Sequence, residues 1–88
     1  MKIKYNFVVN EVADNFVAVA VGGELEDFNG FIKMNDIGAE IFEIFKNDTT
    51  IEEAAKIMLE KHPESNEQEA LETVTDFVTK LQEEGVIE

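Results

Sequence analysis

The 88-residue chain contains no cysteine, one proline, one histidine and one serine. Lacking cysteine, it has no disulfide framework, no thiolate zinc site, no cysteine-ligated iron–sulfur cluster and no thiol nucleophile, and its redox compartment is left undetermined. The single histidine, His62, adjoins Pro63 at a helix end. A general base or metal ligand needs convergent partners, so that position reads as a cap that complements the helix dipole. Ser65 has no histidine or aspartate motif around it and does not stand in the Asp-Ser-Leu context that an acyl carrier requires. No carboxylates follow the alternating spacing of a calcium loop, and no glycine-rich loop could cradle a phosphate. The chain is therefore read as non-enzymatic, with no catalytic residues, no metal ligands and no cofactor. No apolar run is long enough to span a bilayer, and Met1–Asn6 lacks the apolar block of a signal peptide. The expectation is a soluble cytoplasmic protein with no membrane partner.

Positive charge is also scarce. Seven basic residues stand against 20 acidic ones, for a formal charge of −13. Nucleic-acid affinity is largely phosphate neutralisation by Lys and Arg, so a nucleic acid would be repelled. The field would attract cationic peptides or basic patches on a protein, or it serves only to keep a small protein soluble. What the chain does have is 44% hydrophobic residues, including seven Phe. That supports one small globular domain, residues 1–88, with a modest core.

The stretch Met34–Phe45 divides the chain. Before it, Phe31–Met34 is a short extended run. After it, Ile37, Ile41, Ile44 and Phe45 recur on one helical face. Asn35 is a good N-cap, and Asp36 sets negative charge at the positive end of the helix dipole. Upstream, Phe7–Val12 and Phe16–Val21 are β-branched-rich runs of strand length, joined by a tight hairpin in which Asp14-Asn15 tolerates left-handed backbone. Gly22-Gly23 ends the second strand. An acidic loop follows, with Leu25 and Phe28 as anchors, although Asn29-Gly30 could also head a hairpin. Phe31–Met34 is then an edge strand, because nothing β-like follows it.

Downstream, Thr50 with Glu53 spells a capping box for a helix that turns Ile51, Ala55, Met58 and Leu59 inward and ends near His62-Pro63. Ser65 with Gln68 spells a second box, opening a longer helix with Ala70, Val74, Phe77, Val78 and Leu81 at helical spacing, stopped by Gly85 at C′. Val86-Ile87 should pack back on the body. The fold class is α+β: a three-stranded antiparallel sheet followed by three helices, the parts of a winged helix-turn-helix with the sheet placed first. In that class the third helix reads the major groove. Here its outer face offers Glu67, Glu69, Glu72, Asp76, Glu83 and Glu84 against Lys80, a surface unfit for phosphates.

Over essentially the whole chain these residues resemble the PqqD-like family (pyrroloquinoline quinone biosynthesis protein D), the peptide-recognition elements of ribosomally made, post-translationally modified peptides. The resemblance rests on Phe28-Asn29-Gly30-Phe31-Ile32-Lys33-Met34-Asn35-Asp36-Ile37-Gly38, on Ile41-Phe42, on Thr50-Ile51-Glu52-Glu53-Ala54, and on Val74, Phe77-Val78, Leu81 and Gly85-Val86-Ile87. Phe42 departs from the tryptophan common there but stays aromatic. The resemblance implies a protein that binds the leader of a precursor peptide and presents it to a modifying enzyme, often a radical S-adenosylmethionine protein. The residues support that mode on their own terms, because a short edge strand offers unpaired backbone groups to an extended peptide. The expected contacts are Phe31, Ile32, Lys33 and Met34 on the strand, with Leu71, Thr75, Val78 and Gln82 on the last helix. Two readings stay open beside these: Leu71 and Val78 as core, and Lys33 as a guard against self-pairing. Association state is expected to be monomer or weak dimer. The alternative function is a winged-helix protein-interaction or regulatory module unrelated to peptide modification.

Overall fold

The computed structural model describes residues 1–21 and 31–87. The elements run β1 (Phe7–Val12), β2 (Asn15–Ala20), β3 (Phe31–Met34), α1 (Asp36–Ile44), α2 (Ile51–Lys61) and α3 (Glu67–Glu83). The strands form one antiparallel sheet in the order β1-β2-β3, so β3 is an edge. The features expected at Gly22-Gly23, Leu25, Phe28 and Asn29-Gly30 lie outside the described residues. Among those described, no helix is long and apolar enough to cross a membrane.

The β1–β2 hairpin turns one position earlier than its composition suggested. Val12 pairs with Asn15, which leaves Ala13-Asp14 as the two-residue loop, and Ala13 carries the positive φ of 57°. Asn15, expected in the turn, is the first residue of β2. The period-2 register decides this, because a shift of one residue would put Ala18 and Ala20 on the solvent face. Both are buried.

Asn35 caps α1 as expected, its Oδ1 accepting from the Gly38 amide at 2.8 Å. The buried arc of α1 is wider than one stripe: Gly38, Ala39, Ile41 and Phe42 are covered, as is Phe45 just beyond the helix, while Ile37 and Ile44 are half-buried. Phe42 meets Phe7 of β1 edge-to-face at 5.4 Å, locking α1 to the inner face of the sheet. Thr50 caps α2 through the Glu53 amide, while the Glu53 carboxylate accepts from the Thr49 hydroxyl. The cap of α3 is Asn66, not Ser65: Asn66 Oδ1 accepts from the Glu69 amide at 2.9 Å, and Ser65 Oγ donates to the Glu69 carboxylate. An amide side chain one residue later thus displaced the predicted hydroxyl.

The end of α3 is a Schellman motif. Gly85 takes a φ of +75°, its amide bonds Gln82 O, and the Val86 amide bonds Leu81 O. That turn carries the tail inward. Val86 and Ile87 are buried, Ile87 bridges Ile3, and the Lys4 amide donates to Val86 O. His62 caps α2, and its Nε2–H donates to the Glu40 carboxylate at 3.0 Å, tying the end of α2 to α1.

Candidate functional site: the groove between the edge strand and the last helix

Beside β3 lies an open groove of about 600 Å³. Lys33, Met34 and Asn35 form one wall, Ile37, Gly38 and Ile41 of α1 the floor, and Thr73, Asp76, Phe77 and Lys80 of α3 the other wall, with Asn15 nearby. Gly38 is needed for this closeness. A Cβ there would stand 2.9 Å from Phe77 Cε1 and 3.1 Å from Met34 Cβ, so only hydrogen lets strand, helix and ring converge.

The polarity of the edge follows from one contact. Lys80 Nζ reaches across the groove to the Lys33 carbonyl at 3.4 Å, so that carbonyl points away from β2. In an antiparallel ladder a residue either exchanges both of its backbone bonds with its partner or turns both away. Lys33 and its neighbour but one, Phe31, therefore turn N–H and C=O outward, whereas Ile32 and Met34 bond Ala18 and Phe16. Side chains alternate the other way. Ile32 and Met34 are buried beneath the sheet, and Phe31 and Lys33 stand on its outer face. The strand thus turns two donors and two acceptors outward above an apolar floor, the Lys33 acceptor being touched by Lys80.

Of the residues expected to meet a peptide, Lys33 and Met34 line this groove, and Phe31 and Ile32 belong to the same strand. The α3 set does not come to it. Val78 is 1% exposed and belongs to the core with Ala70, Val74 and Leu81; Leu71 is half-buried against that core. Thr75 and Gln82 are exposed but do not line the groove. At about 100° per residue, Thr73, Asp76, Phe77 and Lys80 form a stripe roughly opposite to that of Leu71, Thr75, Val78 and Gln82. The flank of the core stripe expected to meet the peptide is thus the one that faces away from this groove. Phe77, expected to be core, is half-buried and turned to the groove. An apolar residue just off the core stripe, with polar neighbours at i−4, i−1 and i+3, was the available signal.

A strand-first winged-helix body with an open sheet edge facing its last helix is the class this geometry defines. The sequence pattern of coenzyme PQQ synthesis protein D matches residues 8–87, and the chain belongs to that family. No curated protein matches it. A solved structure, TbiB1 in complex with the TbiA(beta) leader peptide, shares the fold with a TM-score of 0.74 at 16% identity, covering 100% of this chain and 95% of that one.

Proposed function

We propose that the protein is a non-catalytic adaptor that binds the leader of a ribosomally synthesised precursor peptide by strand addition on β3 and presents it to a modifying enzyme, such as a radical S-adenosylmethionine maturase. The carrying observation is the outward-turned backbone of Phe31 and Lys33 facing α3 across an apolar-floored groove. Each backbone bond to the added strand contributes a net of about 0.5–1.5 kcal/mol and is indifferent to sequence. Selectivity then comes from alternate side chains of the peptide, one set entering the groove above Ile37, Ile41 and Phe77, the other standing on the outer face beside Phe31 and Lys33. The neighbour bound to its leader peptide supports the reading by shape. The groove contacts in this reading are Phe31, Lys33, Met34, Ile37, Thr73, Phe77 and Lys80. The protein works in the cytoplasm, where precursor and enzyme are made, as a monomer or a weak dimer whose β3 edge stays free for the peptide.

The experiment is a titration of ¹⁵N-labelled protein with the leader of a short precursor encoded beside this gene. Amide shifts should concentrate at residues 31–34 and at Thr73, Phe77 and Lys80. Saturable binding with shifts confined to the acidic outer side of α3 would remove the strand-addition mode.

A further inference from the structure

Lys33 stands on the edge strand with its side chain on the outer face of the sheet. The chain has 20 acidic residues, yet among the described residues only Lys46 and Lys61 of the seven lysines pair with a carboxylate, and what sets Lys33 apart from the other four is its place in the sheet. Its row across the outer sheet face is Asn10–Val17–Lys33, and the next row is Val8–Val19–Phe31; neither holds a carboxylate. Among the described residues, a lysine ammonium therefore projects from two cross-strand rows free of carboxylate on a protein that is otherwise strongly acidic.

We propose that Lys33 is a specificity residue that selects an acidic side chain in the bound peptide, at the position opposite it in the new strand pair. The inference rests on the strand-addition reading and adds the chemistry of the peptide to it. Because the Lys33 backbone turns outward, the peptide residue opposite exchanges both hydrogen bonds with it and projects its side chain to the same outer face. Opposite charges in such cross-strand pairs attract and like charges repel. The inner face favours no acid: Asp76 lines that wall one turn from Lys80, and the floor is Ile37 and Ile41. The preference is thus confined to one register position, flanked on both sides by residues whose side chains face the apolar groove. Two residues further along the outer face, opposite Phe31, an aromatic or β-branched side chain extends the Val8–Val19–Phe31 row. The overall charge of −13 points toward cationic ligands, and the local arrangement at the binding edge reverses that expectation. The same lysine also discourages pairing of two β3 edges, so the guard role and the selective role are one property.

The test uses a phage-displayed library of random peptides selected on the full chain, in the wild type, Lys33→Glu and Lys33→Gln. Position 33 is exposed, so all three fold. Wild-type pools should be enriched in Asp or Glu at one fixed position between apolar residues, Lys33→Glu pools in Lys or Arg there, and Lys33→Gln pools in neither. A synthetic wild-type consensus peptide should bind roughly threefold to tenfold more weakly when its acid becomes Lys, with the difference shrinking as salt rises. If selected peptides shift the Phe31 and Lys33 amides but show no acid enrichment, or keep it against Lys33→Glu, the selectivity is overturned while strand addition stands. If they leave those amides unshifted, strand addition fails and the selectivity fails with it.

Discussion

Proline substitution along β3 is a direct probe of which backbone groups are free. The Lys33 amide points into the groove, so Lys33→Pro removes no bond of the ladder, and proline is tolerated on an edge strand when its N–H side faces outward. Fixing φ should cost at most about 1 kcal/mol. The Ile32 amide instead donates to β2, and its side chain is 3% exposed. Ile32→Pro loses a ladder bond worth a net of about 0.5–1.5 kcal/mol, forces a ring against β2 and removes buried methyl groups, for a total of about 3 kcal/mol or more. In a domain of this size, with a stability of roughly 5–10 kcal/mol, that difference is easily read from urea unfolding followed by far-ultraviolet circular dichroism. Peptide affinity should invert the ranking. Lys33→Pro should unfold near the wild-type urea midpoint yet lose about tenfold or more in affinity, because the added strand loses a donor and meets a ring. Equal destabilisation by the two variants would show that Lys33 points into the ladder and would refute the assignment of the edge.

Phe42→Ala should cost about 3–5 kcal/mol, since Phe42 is fully buried and its ring links α1 to Phe7; Phe77→Ala, at a half-buried site, should cost about half as much while still weakening peptide binding, as parallel unfolding and titration experiments would show. Ala13→Gly should raise stability by about 0.5–1 kcal/mol, because the left-handed backbone at Ala13 penalises a Cβ and not a hydrogen; a lower urea midpoint would count against that hairpin geometry. The terminal ammonium of Met1, bonded to Asp48 at 2.7 Å, holds that carboxyl below its ordinary value near 3.8. A carboxyl depressed in the folded state stabilises it above the unfolded pKa, and the benefit fades as pH falls through the folded pKa. Acetylating Met1 should return the Asp48 titration, followed by carbon-detected NMR, to the ordinary range.

Much of the fold was legible because its signals are local. Asn35, Thr50 and Gly85 announced helix ends that the structure keeps, and the β-branched runs gave the strands to within a residue. What local pattern could not supply was context. The hairpin turned at Ala13-Asp14 because the inward pairing of Ala18 and Ala20 fixed the register, moving the better turn residue Asn15 into β2 in favour of Ala13. The buried arc of α1 widened to Phe42 because that helix is packed by the sheet on one side and by α2 and α3 on the other. On α3 the apolar spacing marked the core stripe through Val74, Val78 and Leu81 but carried no information about which flank met β3. Thr73, Asp76 and Lys80 look like any solvated face until the sheet edge is placed beside them. The strand half of the groove was readable, and the helix half was not.

The central claim is that the outward backbone of Phe31 and Lys33 receives an extended peptide. Amide hydrogen exchange resolved by residue tests it most directly. In the free protein the Phe31 and Lys33 amides should exchange fast and those of Ile32 and Met34 slowly. A saturating leader peptide should protect Phe31 and Lys33 and leave Ile32 and Met34 as they were. Tight binding with Phe31 and Lys33 still exchanging at their free rates would contradict the account.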